Sequence, residues 1–311
     1  MERDFDQIGW DEQVADDCRQ LVRLAVREDL GRSHDLTTLA LVTQSARGAA
    51  ALVAREAGVI AGLPAGAVVF EEMNLNASWR PLVQEGELVP AATPIARLSG
   101  ATRDLLTAER LLLNLVGRLC GVATLTRRYV EAIQGTGARV YDTRKTTPGY
   151  RRLEKYAVGR GGGTNHRCGL YDAILIKDNH LAQAQGSGGR FVQSPRLAVQ
   201  QARSFLQQLG DSGANRVQLI EIEVDTLDQL DDVLTAEPDI VLLDNMTPDE
   251  LRQAVQRRDV SGTKVQLEAS GGIKLATIRQ IAKTGVERIS VGALTHAAVS
   301  LDLGLDWENA D

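Results

Sequence analysis

A chain of 311 residues is long enough for one large or two ordinary domains around a real core. Its 43% hydrophobic and 24% charged content is ordinary for a soluble globular enzyme, and a net charge of −6 does not suit a nucleic-acid binder. No apolar run approaches a membrane span, and the opening MERDFDQIGWDEQ is too acidic and polar for a signal peptide, so a cytoplasmic protein is expected.

Residues 11 to 29 carry Val14, Cys18, Leu21, Val22 and Ala25 at helical spacing, and Gly31 stands where helices commonly stop. The next phrase, SHDLTT, is polar and turn-like; its His34 is either a solvated loop residue or one that reaches a site. Between 47 and 98, RGAAALVAR, GVIAG, SWRPLV and the hairpin-like QEGELVPAATPIARLSG read as short strands, with PAGAVVFEEMN as a helix among them. The hairpin is reminiscent of the small sandwiches that carry biotin or lipoate. A carrier needs a lysine at the hairpin tip, and residues 57 to 98 contain none, so a lid or dimer-forming α+β domain is the better reading.

From Thr107 to about Ile133 the chain reads as a long helix, with Thr107 and Glu109 as capping residues and Gly121 as a candidate break. Arg110 falls in its first turn and shares a face with Asn114 and Arg118, where an arginine is ordinarily a surface residue.

Past Gly137 the rhythm changes to strand-then-helix. Strands are expected at 139–142, 173–177, 218–223, 239–243, 264–268 and 288–291, with helices near 196–209, 226–236, 248–258 and 274–284. This alternation argues a parallel sheet covered by helices, open or closed into a barrel. Each apolar strand ends in residues able to do chemistry: Asp142 to Lys145, Lys177, Glu223, Asp244, Ser270 with Gly271 and Gly272, and Gly292. Sites of β/α barrels form at that edge, so these residues should converge on one mouth. The tail alternates Val299, Leu301, Leu303 and Leu305.

Charge is concentrated in one place. Between residues 139 and 180 lie nine Lys or Arg and four acids, around a run of glycines, in a chain that is acidic overall. A positive pocket of that kind suggests a small polyanionic ligand. Within it, Arg144, Lys145, His166, Arg167 and Lys177 can form an anion clamp, since arginine holds a carboxylate through two parallel hydrogen bonds. Arg151, Arg152, Lys155 and Arg160 either line a solvated helix face or steer anions inward. The turns SGGI (270–273) and SVGAL (290–294) suit a phosphate, whose oxygens their backbone N–H groups and the helices after them can meet. Glu223 and Asp244, at neighbouring strand ends, suit Mg²⁺, which takes one or two protein oxygens and bridges substrate phosphates. Glu221, of the same parity as Glu223, is either a charged partner inside the sheet or a catalytic group. Cys18, Cys120 and Cys168 are scattered, lack metal spacing and are expected to stay reduced.

The phrases DTRKT, NHRCGL, AILIKDNH, EIEV, LLDNM, EASGGI and ISVGALTHA, in that order, closely resemble quinolinate phosphoribosyltransferase, and the resemblance covers nearly the whole chain. It implies an α/β protein, an incomplete β/α barrel (121–296) with an N-terminal α/β sandwich (1–120) on which the tail (297–311) packs. It implies two substrates, quinolinate and 5-phosphoribosyl 1-pyrophosphate, with Mg²⁺ as cofactor and neither nucleic acid nor membrane as partner. By resemblance, Arg110, Arg144, His166, Arg167 and Lys177 face quinolinate, with Arg110 supplied by the neighbouring subunit of a homodimer. Lys145 lies nearer the pyrophosphate; Glu223 and Asp244 lie near the ribose hydroxyls and the metal. Thr143, Ser270, Gly271, Gly272, Val291, Gly292 and Ala293 complete the substrate site, and Lys145, Lys177, Glu223 and Asp244 are the catalytic set. Two rivals are a paralogue acting on another acceptor, of the molybdenum-transport-associated type, and a non-catalytic nucleotide-binding protein. The first needs fewer cations than this clamp holds, and the second is expected to lose Lys145, Glu223 or Asp244.

Overall fold

The computed structural model describes residues 4–183, 194–209 and 219–308. The chain divides into two compact units: Gln7–Arg128 with Lys145–Gly163 and Leu294–Asp311, and Met1–Asp6 with Tyr129–Arg144 and Thr164–Ala293.

The first unit opens with α1 (Glu12–Leu30), capped by the Asp11 side chain, which accepts from the Val14 amide at 2.9 Å. SHDLTT is more than a turn. Asp35 accepts from the Thr38 amide at 2.9 Å and so starts a short helix, α2 (Leu36–Leu41), beside an exposed His34. There follow β1 (Arg47–Ala54), β2 (Gly58–Val59), α3 (Leu63–Glu72), β3 (Ala77–Pro81), β4 (Leu88–Val89) and β5 (Thr93–Ala101). The hairpin-like segment does not close on itself: β4 pairs with β2, while β5 lies between β1 and β3.

The long helix, α4 (Thr102–Ala132), starts five residues before the expected Thr107 and runs unbroken for 31 residues. Arg110 therefore lies beyond the first turn, and Thr107, instead of capping, donates to Asp35 Oδ2 at 3.3 Å. Gly121 is no break. A Cβ there would come within 2.0 Å of the Val299 carbonyl oxygen, so the glycine exists to let the tail backbone cross the helix. The basic run 151–160 forms α5 (Arg151–Arg160). Its solvated-face reading fails for Lys155, which is fully buried; Arg152 pairs with Asp17 at 2.9 Å, and the Arg160 guanidinium lies 5.2 Å from the centre of the Tyr156 ring.

In the second unit β6 (Arg139–Tyr141), β7 (Ile174–Ile176), β8 (Ile220–Val224), β9 (Ile240–Asp244), β10 (Gln266–Ser270) and β11 (Arg288–Ser290) are all parallel, in the order β6-β11-β10-β9-β8-β7. Residue 218 of the expected fourth-to-last strand lies outside the described residues. The connections carry α6 (Asp178–Gln183), α7 (Pro195–Leu209), α8 (Leu227–Leu234), α9 (Pro248–Ser261) and α10 (Ile278–Ala282). This is an α/β fold, an incomplete β/α barrel whose end strands β6 and β7 do not pair with each other. A single parallel bridge from Thr164 to Tyr141 extends the β6 edge. Apolar strand residues such as Ile222, Val241, Leu243, Leu267 and Ile289 are buried, as expected of parallel strands covered on both faces.

The chain ends with α11 (Ala293–His296) and β12 (Leu303–Trp307). β12 runs antiparallel to β1, pairing Leu305 with Leu52, and completes the four-stranded sheet β12-β1-β5-β3 of the first unit.

Candidate active site

Side chains alternate along a strand, so one parity per strand faces the same way. In the barrel unit that parity carries Lys177 just after β7, Glu223 on β8, Asp244 on β9, Ser270 on β10 and Ser290 on β11, all toward the carboxyl ends of the strands. The register agrees: Glu223 pairs with Leu242, two residues before Asp244, and Asp244 pairs with Ser270.

Two groups at this edge are tied directly. Lys177 Nζ donates to Glu223 Oε2 at 2.7 Å, and the Lys177 amide donates to His180 Nδ1 at 2.9 Å. After β6, Asp142 is fully buried and organises the loop that follows Thr164. Its carboxylate accepts from the His166 amide and from Asn165 Nδ2, both at 2.8 Å. That places His166 and Arg167, both buried, at the end of β6. Arg167 Nη1 donates to the Ala173 carbonyl at 3.1 Å, but its Nε has no hydrogen-bond partner among the described residues, and neither has the buried Nε of Arg144. Burial, and then the charge of Arg144, depress the pKa of Arg167. Two arginines whose like charges oppose each other, each with a buried Nε unspent among the described residues, are a strong demand for an anion.

The phosphate-type turn also takes a definite shape. Gly271 (φ 95°) and Gly272 (φ 58°) follow β10 in the left-handed region, and a Cβ on Gly271 would lie 2.1 Å from Asn245 Oδ1. Asn245 itself, just after β9, has φ 53°, and its amide donates to the Ser270 carbonyl at 2.9 Å. Only a glycine fits beside it. The expected helix dipole is absent at SGGI, because α10 begins at Ile278 and residues 274–277 form a turn first. After β11, Val291 donates to the Tyr141 carbonyl at 2.8 Å and is buried, with Gly292 and Ala293 partly exposed behind it.

The structure thus brings Thr143, Arg144, His166, Arg167, Lys177, Glu223, Asp244, Ser270, Gly271, Gly272, Val291, Gly292 and Ala293 into one unit, while Arg110 and Lys145 belong to the other. Arg110 is exposed on α4; the Lys145 carbonyl accepts from Thr295 Oγ1 at 2.7 Å.

Glu221, weighed in the sequence as a charged partner or a catalytic group, belongs to a second tier whose other members, Glu268 and Arg288, the sequence reading missed. Glu221, Glu268 and Arg288 stand two residues before Glu223, Ser270 and Ser290, on the same parity, and all three are fully buried or nearly so. His166 Nε2 lies 2.9 Å from Glu221 Oε2 and 3.6 Å from Glu268 Oε1, and Arg288 Nε donates to Glu268 Oε2 at 2.9 Å. Glu221 is therefore the charged partner inside the sheet. Burial works against its charge, yet His166, Arg288 and Arg167 hold its carboxyl below the usual range. Burial and the Glu221 charge push Glu268 upward. The signal was available: a charged residue inside an apolar parallel strand, as in RIS or LEAS, needs a buried partner.

A parallel β/α sheet whose carboxyl edge combines unspent arginine donors, a lysine–carboxylate pair, two acids and a glycine turn defines an enzyme of small polyanionic substrates. Residues 35–120 match the model of the quinolinate phosphoribosyl transferase N-terminal domain, and residues 122–306 match that of the C-terminal domain. The nicotinate-nucleotide pyrophosphorylase [carboxylating] of Mycobacterium leprae is 43% identical over 94% of this chain and 97% of its own. A quinolinate phosphoribosyltransferase [decarboxylating] of Nicotiana tabacum is 33% identical over 93% of this chain and 82% of its own. The solved nicotinate-nucleotide pyrophosphorylase from Francisella tularensis superposes with a TM-score of 0.85 at 36% identity, covering 98% of this chain and all of that one. The chain belongs to the quinolinate phosphoribosyltransferase family.

Proposed function

We propose that this chain joins quinolinate to 5-phosphoribosyl 1-pyrophosphate, releasing pyrophosphate and CO₂ and leaving nicotinate mononucleotide, a step of de novo NAD biosynthesis. The observation that carries the substrate assignment is the Arg144–Arg167 pair with its unspent buried donors, next to His166 in the chain. Quinolinate brings two adjacent carboxylates, which this set and Lys177 suit.

The pyridine nitrogen is the nucleophile, and the protein positions it. Its lone pair forms the bond to C1 of the ribose while the C1–O pair leaves with pyrophosphate, through an oxocarbenium-like centre. The electrons of the bond to the 2-carboxylate then enter the pyridinium ring as CO₂ departs, and a proton fills C2. Catalysis is orientation and charge stabilisation. Lys177 is the hinge of the arrangement: its ammonium sits on Glu223, so an arriving carboxylate shares or displaces that partner. Lys145 serves the departing pyrophosphate. The turn Ser270–Gly272, whose Gly271 packs against Asn245, takes the 5-phosphate, with Val291–Ala293 as its companion.

Glu223 and Asp244, oxygen donors on one face of adjacent strands, fit Mg²⁺, which supplies charge to the pyrophosphate when bound. A group of three potential metal ligands among the described residues is instead His166, Glu221 and Glu268, within 4.8 Å of one another. Arg288 already provides a cation there, and that set is read as an ion-pair network. The assembly is a homodimer in which Arg110 completes the partner's site, in the cytoplasm.

The test is turnover and quinolinate binding with a chelator and in Glu223→Gln and Asp244→Asn. Turnover should collapse in each case while quinolinate still binds. Undiminished turnover in chelator would overturn the metal and pyrophosphate roles.

A further inference from the structure

The second tier of buried charges is not completed by the barrel's own β/α repeats. Arg288, fully buried, donates from Nη1 to Gln266 Oε1 at 3.1 Å and to Asp4 Oδ1 at 3.0 Å. Asp4 Oδ2 accepts from the Tyr141 hydroxyl at 2.8 Å and lies 3.3 Å from Arg139 Nη1. The next residue, Phe5, is only 6% exposed, although it precedes every regular element of the fold. It clusters with Tyr141 of β6, Ala173 just before β7, Leu219 and Ile240. Ala173, Leu219 and Ile240 stand at or just before the starts of β7, β8 and β9, so Phe5 packs against the amino ends of several strands of the sheet.

What its ring touches matters more. Its centroid lies 4.3 Å from that of His166, tilted by 35°, and 5.1 Å from the Arg288 guanidinium, which also packs 3.7 Å from the Tyr141 ring. The imidazole is therefore confined between Glu221, 2.9 Å from Nε2, and the Phe5 ring. Asp4, anchored to Arg288 and Tyr141, fixes the backbone from which that ring projects.

We infer that Phe5, held in place by Asp4, is a positioning residue for His166 and thereby sets the affinity for quinolinate. It rests on the reading that His166 faces quinolinate. Removing the ring leaves a space into which the imidazole can turn away from Glu221, so it meets the substrate carboxylate out of place. Phosphate recognition, at the far strand ends of β10 and β11, is left alone.

The experiment is a double-mutant cycle on the full chain, with quinolinate and 5-phosphoribosyl 1-pyrophosphate affinities measured separately by calorimetry. Neighbouring residues that act through each other give non-additive losses. Phe5→Ala should raise the quinolinate Kd about tenfold and leave the other substrate within about twofold; Phe5→Leu, which keeps the bulk, should recover most of the loss. In the His166→Gln background, Phe5→Ala should change the quinolinate Kd by less than about twofold. Wild-type affinity in Phe5→Ala, or an equal loss in both backgrounds, overturns the inference and leaves Phe5 a filler of the unit's core. Should Phe5→Ala fail to fold, Phe5→Val takes its place in the same cycle with the same criteria. If His166→Gln itself binds quinolinate like the wild type, the site reading fails as well; if it binds weakly and Phe5→Ala does not, only the inference falls.

Discussion

Arg167 shows how a site can be built at the expense of its surroundings. Its guanidinium is buried, spends one nitrogen on the Ala173 carbonyl, leaves Nε without a partner among the described residues and feels the like charge of Arg144. A residue kept in such a setting serves a ligand, because burying an unpaired donor costs free energy that the fold does not recover. Arg167→Ala should therefore weaken quinolinate binding by about ten- to a hundredfold, the equivalent of losing one charge-assisted bond of roughly 1.5–3 kcal/mol, without lowering the melting temperature. Lys177→Ala should weaken binding to a similar degree. Calorimetry and thermal unfolding check both; quinolinate affinity at the wild-type level in both variants contradicts the clamp. At this scale the sequence was legible wherever a charge follows a strand, as at Lys177, Glu223 and Asp244. It was opaque where the partner comes from far along the chain. Asp4 meets Arg288 across 284 positions, and no local pattern announces such a contact.

The helix α4 carries the corresponding lesson for elements. Its presence was legible from Thr107 onward, and the helix buries Leu105, Leu112 and Leu119 completely. Gly121 is a candidate break in the sequence because glycine is a poor helix former, by about 1 kcal/mol against alanine. Tertiary packing decides the matter. The Val299 carbonyl crosses where a Cβ would sit, 2.0 Å away. Gly121→Ala therefore has two opposing effects, a gain in helix propensity of about 1 kcal/mol and an overpacking cost of about 1–3 kcal/mol. The second should win, because the opposing atom is backbone and cannot rotate away. A melting temperature several degrees lower is expected, with the tail loosened; an unchanged or raised value would mean that the tail yields freely. The pairing of β4 with β2 was invisible for a related reason, since a hairpin pattern specifies two strands but not which neighbours they take.

For the whole molecule, the alternation of strands and helices made the parallel sheet legible from residue 139 onward, and the strand ends located its working edge. The homodimer with shared sites is the proposal that belongs to this scale. Arg110 is exposed on α4, and in the proposed dimer it completes the site of the other subunit. Mixing Arg110→Ala with Lys177→Ala chains should form dimers with one intact and one doubly damaged site. With random exchange about half the dimers are mixed, and about a quarter of wild-type activity should return. Verified mixed dimers as inactive as either parent would place Arg110 in its own chain's site. The most direct measurement is CO₂ release from quinolinate labelled at its 2-carboxylate, followed with pyrophosphate formation in wild type and Lys177→Ala. Equal amounts of CO₂ and pyrophosphate are expected, strictly dependent on 5-phosphoribosyl 1-pyrophosphate and nearly lost in the variant at low quinolinate. Labelled CO₂ appearing without the second substrate, or pyrophosphate released with the label still on the ring product, would contradict the proposed reaction.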